Sequence, residues 1–111
     1  MKMKTNELSG TALDWAVAKA QGYGLSTLDL IYDIKEYAKY KPSSDWSFGG
    51  PIIEREQMNF KWVGATDCRA SIDWLDEDFF EAFGPTPLIA AMRCYVASKL
   101  GAEVDVPEEL R

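Results

Sequence analysis

The chain has 111 residues, no histidine and a formal net charge of −6, and 47% of its residues are hydrophobic. This length predicts one domain spanning residues 1–111. The acidic charge argues against binding of long DNA or RNA, which relies on clustered Lys and Arg. The lack of histidine removes the commonest general base and metal ligand, so no enzyme, metal or cofactor is expected.

Apolar residues at spacings of three and four predict a first helix at about residues 10–21, within the stretch "SGTALDWAVAKAQG". Ser9 is the expected N-cap, and Gly22 suits the position just past the helix end. Within this helix we expect Trp15 in the core, and Asp14 in solvent or in a cap. The following residues 23–40 mix helical and strand-like spacing, and we interpret them as an irregular insertion with some helix.

The next stretch, "KPSSDWSFGGP" at residues 41–51, predicts a loop that could surround a ligand. Its Gly-Gly pair indicates a tight turn, and "PIIERE" indicates a short helix with Pro51 at its first position. A tryptophan in such a loop either closes one end of the core or faces a ligand. The sequence leaves both readings of Trp46 open.

Two alternating runs, "MNFKWVG" and "CRASIDW", predict an antiparallel hairpin at about residues 58–74. The N-terminal "KMK" is a candidate for an additional strand. No span of about 18 apolar residues is present in the chain, so no membrane helix is expected. Cys68 and Cys94 lack a paired spacing and are expected to be reduced thiols, with Cys94 buried.

The final helix is the most strongly marked element, at about residues 87–100. Thr86 is its expected N-cap, Pro87 occupies the first helical position, and Gly101 ends it. The tail "AEVDVPEELR" is polar and is expected to lie on the surface. Together these elements predict an α+β fold.

Three blocks in this order, "ALDWAVAKAQG", "PSSDWSFGGPIIERE" and "GPTPLIAAMRCYVASKLG", resemble the NinX-like proteins of tailed phages and prophages. The resemblance implies an alpha-beta-alpha sandwich, with a small antiparallel sheet packed against the helices. It also implies action in the cytoplasm of an infected or lysogenic bacterium. It supplies no activity, so the function has to be argued from the side chains.

Several residues of the last two blocks have the chemistry needed to hold a nucleotide. Trp46 offers a face for stacking a base, Asp45 could accept from ribose hydroxyls, and Arg93 could pair with a phosphate. Helix N-termini beside glycine or threonine attract anions. The candidate ligand-binding residues are Ser44, Asp45, Trp46, Gly49, Gly50, Thr86 and Arg93.

Each candidate also has a structural explanation. Gly49 and Gly50 could serve only the turn, Thr86 is an ordinary helix start, and Arg93 could pair with an acidic neighbour. These explanations compete directly with a ligand-binding role.

Two functions remain open. The first is a non-enzymatic binder that sequesters a small nucleotide-derived host immune signal, such as a cyclic nucleotide or an ADP-ribose-like molecule. This function suits assembly as a homo-oligomer, because a pocket at a subunit interface can enclose a ligand. The second is an adaptor that binds a bacterial protein through an aromatic surface. Convergence of Trp46, Thr86 and Arg93 around a concavity would favour the first function. A flat exposed patch formed by the phenylalanines of residues 79–83 would favour the second. An enzyme such as a phosphodiesterase would need clustered carboxylates and a metal.

Overall fold

The computed structural model describes residues 2–22, 40–73 and 79–110. Over these ranges the helices are α1 (Gly10–Ala20), α2 (Trp46–Glu56) and α3 (Pro87–Leu100). The strands are β1 (Lys2–Lys4), β2 (Asn59–Val63), β3 (Asp67–Ile72), β4 (Phe80–Gly84) and β5 (Glu103–Asp105). No helix in the described ranges is long and apolar enough to cross a membrane. The predicted insertion at residues 23–40 lies outside the described residues except for Tyr40.

The two long predicted helices are confirmed, and α3 occupies the centre of the molecule. It packs against β3 and β4 on one side and against α1 and α2 elsewhere. Gly84 on β4 permits this close approach, because a Cβ there would lie 2.8 Å from the Ala90 nitrogen. Trp15 is buried as expected. The largest fully buried side chains of this core include Leu8, Leu13, Ile52, Ile72, Met92 and Val106.

The predicted hairpin is confirmed as β2 and β3, and β4 adds a third antiparallel strand in the order β2-β3-β4. Ala70 pairs with Ala82 across β3 and β4, and both are fully buried beneath the helices. Cys68 and Cys94 are buried free thiols. Desolvation raises the pKa of Cys94 to about 12, which leaves its thiol protonated and inert at neutral pH.

The N-terminal strand exists, but it does not join the hairpin. β1 pairs with β5 in a separate two-stranded sheet, with Met3 opposite Val104. The prediction of a surface tail was therefore wrong, since Val104, Val106 and Leu110 are buried. The alternation in "EVDV" places both valines on the inner face of the sheet, and this outweighs the polar composition of the tail.

The predicted start of the short helix, at Pro51, was also wrong. α2 begins five residues earlier, at Trp46, and Pro51 lies inside it. The Asp45 side chain caps the new start by accepting from the Ser47 N–H. The α+β class is confirmed, and most of the predicted loop is the first half of a helix.

Candidate functional site

A pocket of about 290 Å³ lies where α2 and α3 begin. Its walls come from the turn before α2, the first residue of α2 and the first turn of α3. The lining residues are Ser43, Ser44, Trp46, Thr86, Pro87, Leu88 and Ile89. Three predicted ligand residues, Ser44, Trp46 and Thr86, therefore line one concavity.

The turn that forms one wall of this pocket is attached to α1 by a buried hydrogen bond. The Ser43 N–H donates to the Asp14 carboxylate at 2.9 Å. Asp14 is only 4% exposed, which corrects the expectation that it faces solvent or caps a helix. Desolvation raises the pKa of Asp14, and the hydrogen bonds from Ser43 oppose part of that rise.

Asp14→Ala is expected to lower the free energy of unfolding by about 1–2 kcal/mol. The substitution leaves the Ser43 N–H without its acceptor, a loss of about 1–3 kcal/mol that is partly offset by removal of a buried carboxylate. Asp14→Asn is the matched control because its amide oxygen can still accept. Urea unfolding of both variants tests the hydrogen bond, and equal stabilities would contradict it.

The same residue gives a pH dependence of defined sign. Since the native pKa of Asp14 lies above 3.8, the proton stabilises the native state, fully below pH 3.8 and progressively less as pH rises through the native pKa. Asp14→Asn removes this dependence. Its free energy of unfolding should therefore increase relative to that of the wild type as pH rises over this interval. Urea unfolding at stepped pH values measures the difference, and a constant difference would contradict the assignment.

Asp45 fixes the start of α2 rather than lining the pocket. Its carboxylate accepts from the Ser47 N–H at 2.9 Å and from the Ser47 hydroxyl at 2.7 Å. These bonds lower the pKa of Asp45. Trp46 follows directly, and its side chain is 56% exposed. It therefore does not close the core, and its indole is accessible beside the pocket.

Thr86 fixes the start of α3 in the same way. Its hydroxyl oxygen accepts from the Ile89 N–H at 3.1 Å, and its carbonyl accepts from the Ala90 N–H. Within the described residues the Thr86 hydroxyl hydrogen meets no acceptor, so it is available as a donor at the pocket. Pro87 has no N–H, so the Leu88 N–H is the first-turn donor that these caps do not use.

Thr86→Ala is expected to lower the free energy of unfolding by about 1 kcal/mol, the usual effect of losing an N-cap. Thr86→Ser keeps the capping oxygen and should retain most of that stability. Thermal and urea unfolding provide the measurement. An alanine variant as stable as the serine variant would argue against the cap.

Gly49 and Gly50 lie inside α2 and do not form the predicted tight turn. Gly49 is buried behind the pocket, where an added Cβ would meet Leu88 Cδ1 at 2.5 Å and the Pro42 carbonyl at 2.6 Å. Its N–H donates to the Asp45 carbonyl. The glycine therefore permits close packing of α2 against α3.

Arg93 does not line the pocket. Its Nε donates to the Leu8 carbonyl and its Nη1 to the Phe83 carbonyl, each at 2.8 Å. These bonds connect α3 to the segment before α1 and to β4. Desolvation lowers the pKa of Arg93. This geometry indicates that Arg93 stabilises the fold by linking these elements.

Sequence reasoning missed four of the pocket residues. The residues not predicted as part of a site are Ser43, Pro87, Leu88 and Ile89, and each lies close in the chain to Ser44 or Thr86. Leu88 and Ile89 carried only a helix signal, and nothing local distinguishes a pocket wall from a core face. The Ser43 side chain likewise gave no separate signal.

Part of the aromatic surface that was predicted for an adaptor, at residues 79–83, is present in the structure. Phe79 and Phe83 are exposed, whereas Phe80 is partly buried against the core. Phe79 lies under the guanidinium of Arg69, 5.4 Å from its ring centroid. The predicted three-phenylalanine patch is therefore reduced to two exposed rings.

A second cavity of about 290 Å³ lies elsewhere and contains none of the predicted residues. It is lined by Lys4, Thr5, Asn6, Glu81, Ala97, Ala102 and Glu103. Its charges have both signs, and the Thr5 hydroxyl already donates to the Gly101 carbonyl. Within the described ranges, no group of three or more Cys, Asp or Glu side chains could hold a metal ion.

The fold and the pocket define a small α+β domain with a concavity between two capped helix starts. The family model described as bacteriophage P22 NinX matches residues 4–99. The chain therefore belongs to the NinX family of phage proteins, as the three sequence blocks predicted. The match extends from the end of β1 almost to the end of α3. No curated protein matches the chain.

Proposed function

We propose that this NinX-family protein is a non-enzymatic binder that sequesters a small anionic nucleotide-derived ligand in the pocket between α2 and α3. The ligand class is a cyclic nucleotide or an ADP-ribose-like molecule of the kind bacteria use as antiviral signals. The supporting observation is the accessible Trp46 indole beside the starts of two helices.

The anionic part of the ligand would be held by the helix starts. Both α2 and α3 direct their positive dipole ends toward the pocket region. The Leu88 N–H and the hydroxyls of Ser44 and Thr86 add hydrogen-bond donors. These local donors would act on a small anion even though the whole chain carries a charge of −6. A long nucleic acid would meet the repulsion of the entire surface.

The base would stack on Trp46, with Leu88 and Ile89 contributing apolar wall. A pocket of about 290 Å³ is at the lower end of the range for small-molecule sites, roughly 300–1,000 Å³. It suits one nucleotide unit more closely than a complete dinucleotide. A larger ligand would need further enclosure, and a second copy of the chain could supply it.

The pocket lining also supports binding over catalysis. Its described residues provide hydroxyl, indole and aliphatic groups, with no carboxylate, thiol or amine side chain among them. A general base or a metal site would require such groups. The protein would then remove its ligand by mass action, in the cytoplasm of the infected or lysogenic host.

Ligand binding is expected to depend on Trp46. A thermal-shift screen would use cyclic dinucleotides, ADP-ribose, its cyclic forms, NAD and common nucleotides, with and without magnesium. Ligand at about 100 times its Kd should add roughly 2.7 kcal/mol of stability. Trp46→Ala should abolish the shift. Trp62→Ala is the matched control, because its side chain is 55% exposed but lies outside the pocket lining.

The recovered ligand distinguishes the remaining outcomes. Intact ligand, with the shift lost in Trp46→Ala and retained in Trp62→Ala, supports sequestration. Cleaved ligand would instead indicate an enzyme. An unmoved melting curve across the panel, or equal losses in both variants, would overturn binding at this pocket.

An adaptor that binds a host protein is the second candidate, favoured by the exposed rings of Phe79 and Phe83. Their double replacement by alanine should release a host protein captured by the wild-type chain. Trp46→Ala should leave that capture unchanged. If the double variant still captured the host protein, the surface formed by Phe79 and Phe83 would be excluded as the binding site.

A further inference from the structure

Strand β2 is exposed along its whole length and on both of its faces. Within the described residues it pairs with β3 on one side only, so its other edge has backbone donors and acceptors free for another strand. Five residues of uncovered edge strand are unusual, because such edges attract further strands. The side chains on the two faces indicate what kind of strand would fit.

The inner face of β2 is apolar. Phe60 and Trp62 lie opposite Ala70 and Cys68, which are buried under the helices. Phe60 is nevertheless 39% exposed and Trp62 55% exposed. The helices that cover β3 therefore do not cover β2. The rings of Phe60 and Trp62 form an exposed apolar surface beside the free edge of the strand.

The outer face of β2 presents a positive charge at the middle of the strand. Lys61 lies opposite Arg69, and Arg69 pairs in turn with Glu81. Among the described residues Lys61 has no ion-pair partner. A carboxylate on an added strand could therefore meet Lys61 directly, with Arg69 on the neighbouring strand.

The same lysine disfavours a second copy of this chain at the edge. Symmetric antiparallel pairing centred on Lys61 would place it opposite the Lys61 of the second copy, and like charges directly opposite are destabilising. Two chains that each carry a charge of −6 would repel as well. Lysine on edge strands is a common device against self-pairing.

We propose that the free edge of β2 binds an extended segment of a partner protein by strand addition. The segment has the pattern apolar–acidic–apolar. Its acidic side chain lies opposite Lys61, and the flanking apolar side chains pack beside Phe60 and Trp62. Main-chain hydrogen bonds supply affinity in this mode, and alternate side chains supply specificity. The inference is independent of the pocket ligand.

The test uses the peptide acetyl-Thr-Val-Glu-Val-Thr-amide and the same peptide with Lys in place of Glu. Amide NMR shifts of the full chain report where each peptide binds and how tightly. The Glu peptide should shift the β2 amides and bind about five-fold more tightly than the Lys peptide, from one favourable and one unfavourable cross-strand pair. Lys61→Glu should reverse this preference.

Backbone pairing has its own control. A Glu peptide with alternate N-methyl amides keeps its charge but loses donors, and it should not shift the β2 amides. Shifts confined to β2, reversed by Lys61→Glu and lost on N-methylation, support the proposal. Absence of shifts, shifts elsewhere, or a preference unchanged by Lys61→Glu would overturn it. Sedimentation that detects a dimer, together with β2 amide shifts that change with protein concentration, would also overturn it in favour of a second copy.

Discussion

Gly49→Ala is expected to lower the free energy of unfolding by about 2 kcal/mol. The new methyl group would lie 2.6 Å from the Pro42 carbonyl and 2.5 Å from Leu88 Cδ1. Leu88 can rotate, but the backbone carbonyl has to shift with its whole turn. Overpacking of this kind costs about 1–3 kcal/mol, and alanine in a helix returns roughly 1 kcal/mol relative to glycine. Because one contact is with backbone, we expect an overpacking cost near the upper end of its range. The gain from alanine in the helix then reduces the net loss to about 2 kcal/mol.

Gly50→Ala is the matched control on the same helix. Its Cβ would approach only Trp46 Cε3, at 3.9 Å, which is an ordinary contact. The substitution should therefore stabilise the protein by about 0.5–1 kcal/mol through helix propensity. Chemical denaturation of the two variants measures both effects. Two variants of equal stability would show that Gly49 is not constrained by packing.

Arg93→Ala is expected to lower the free energy of unfolding by about 2–3 kcal/mol. Two hydrogen bonds from a charged donor are lost, each worth about 1.5–3 kcal/mol when sheltered, and exposure of the bond to Phe83 reduces the sum. Arg93→Lys keeps the charge but has no rigid fork to reach both carbonyls, so it should recover about half of that loss.

The same variants distinguish a role of Arg93 in stabilising the fold from a role in ligand binding. Since Arg93 does not line the pocket, Arg93→Lys should bind any ligand found for the pocket with unchanged Kd while losing stability. Isothermal titration and urea unfolding give the two readings. Weakened binding with unchanged stability would return Arg93 to the role of a phosphate ligand.

The helices and the hairpin could be predicted because their signals are local. Regular apolar spacing and the Thr86-Pro87 pair define α3, and alternation defines β2 and β3. β4 gave no comparable signal, because its "FEAFG" follows an acidic run and its register is set by contact with β3 and α3. Such tertiary contacts are absent from any window of sequence.

The candidate site was predicted in part for the same reason. Ser44, Trp46 and Thr86 meet at the pocket because they lie at or just before helix starts that pack together. Gly49 was identified as special, but its reason is a contact with Leu88 across the fold rather than a turn. The spacing of Arg93 on α3 did not reveal that its partners would be the carbonyls of Leu8 and Phe83.

The pairing of β1 with β5 has a consequence for the order of folding. It joins Lys2 to Asp105, and the Thr5 N–H donates to the Ala102 carbonyl at 2.8 Å in the same region. Closing so long a loop is entropically unfavourable until the intervening chain is compact. β1 therefore stays unpaired until β5 has been synthesised. On a ribosome, residues 2–4 would be without their partner until residues 103–105 had emerged.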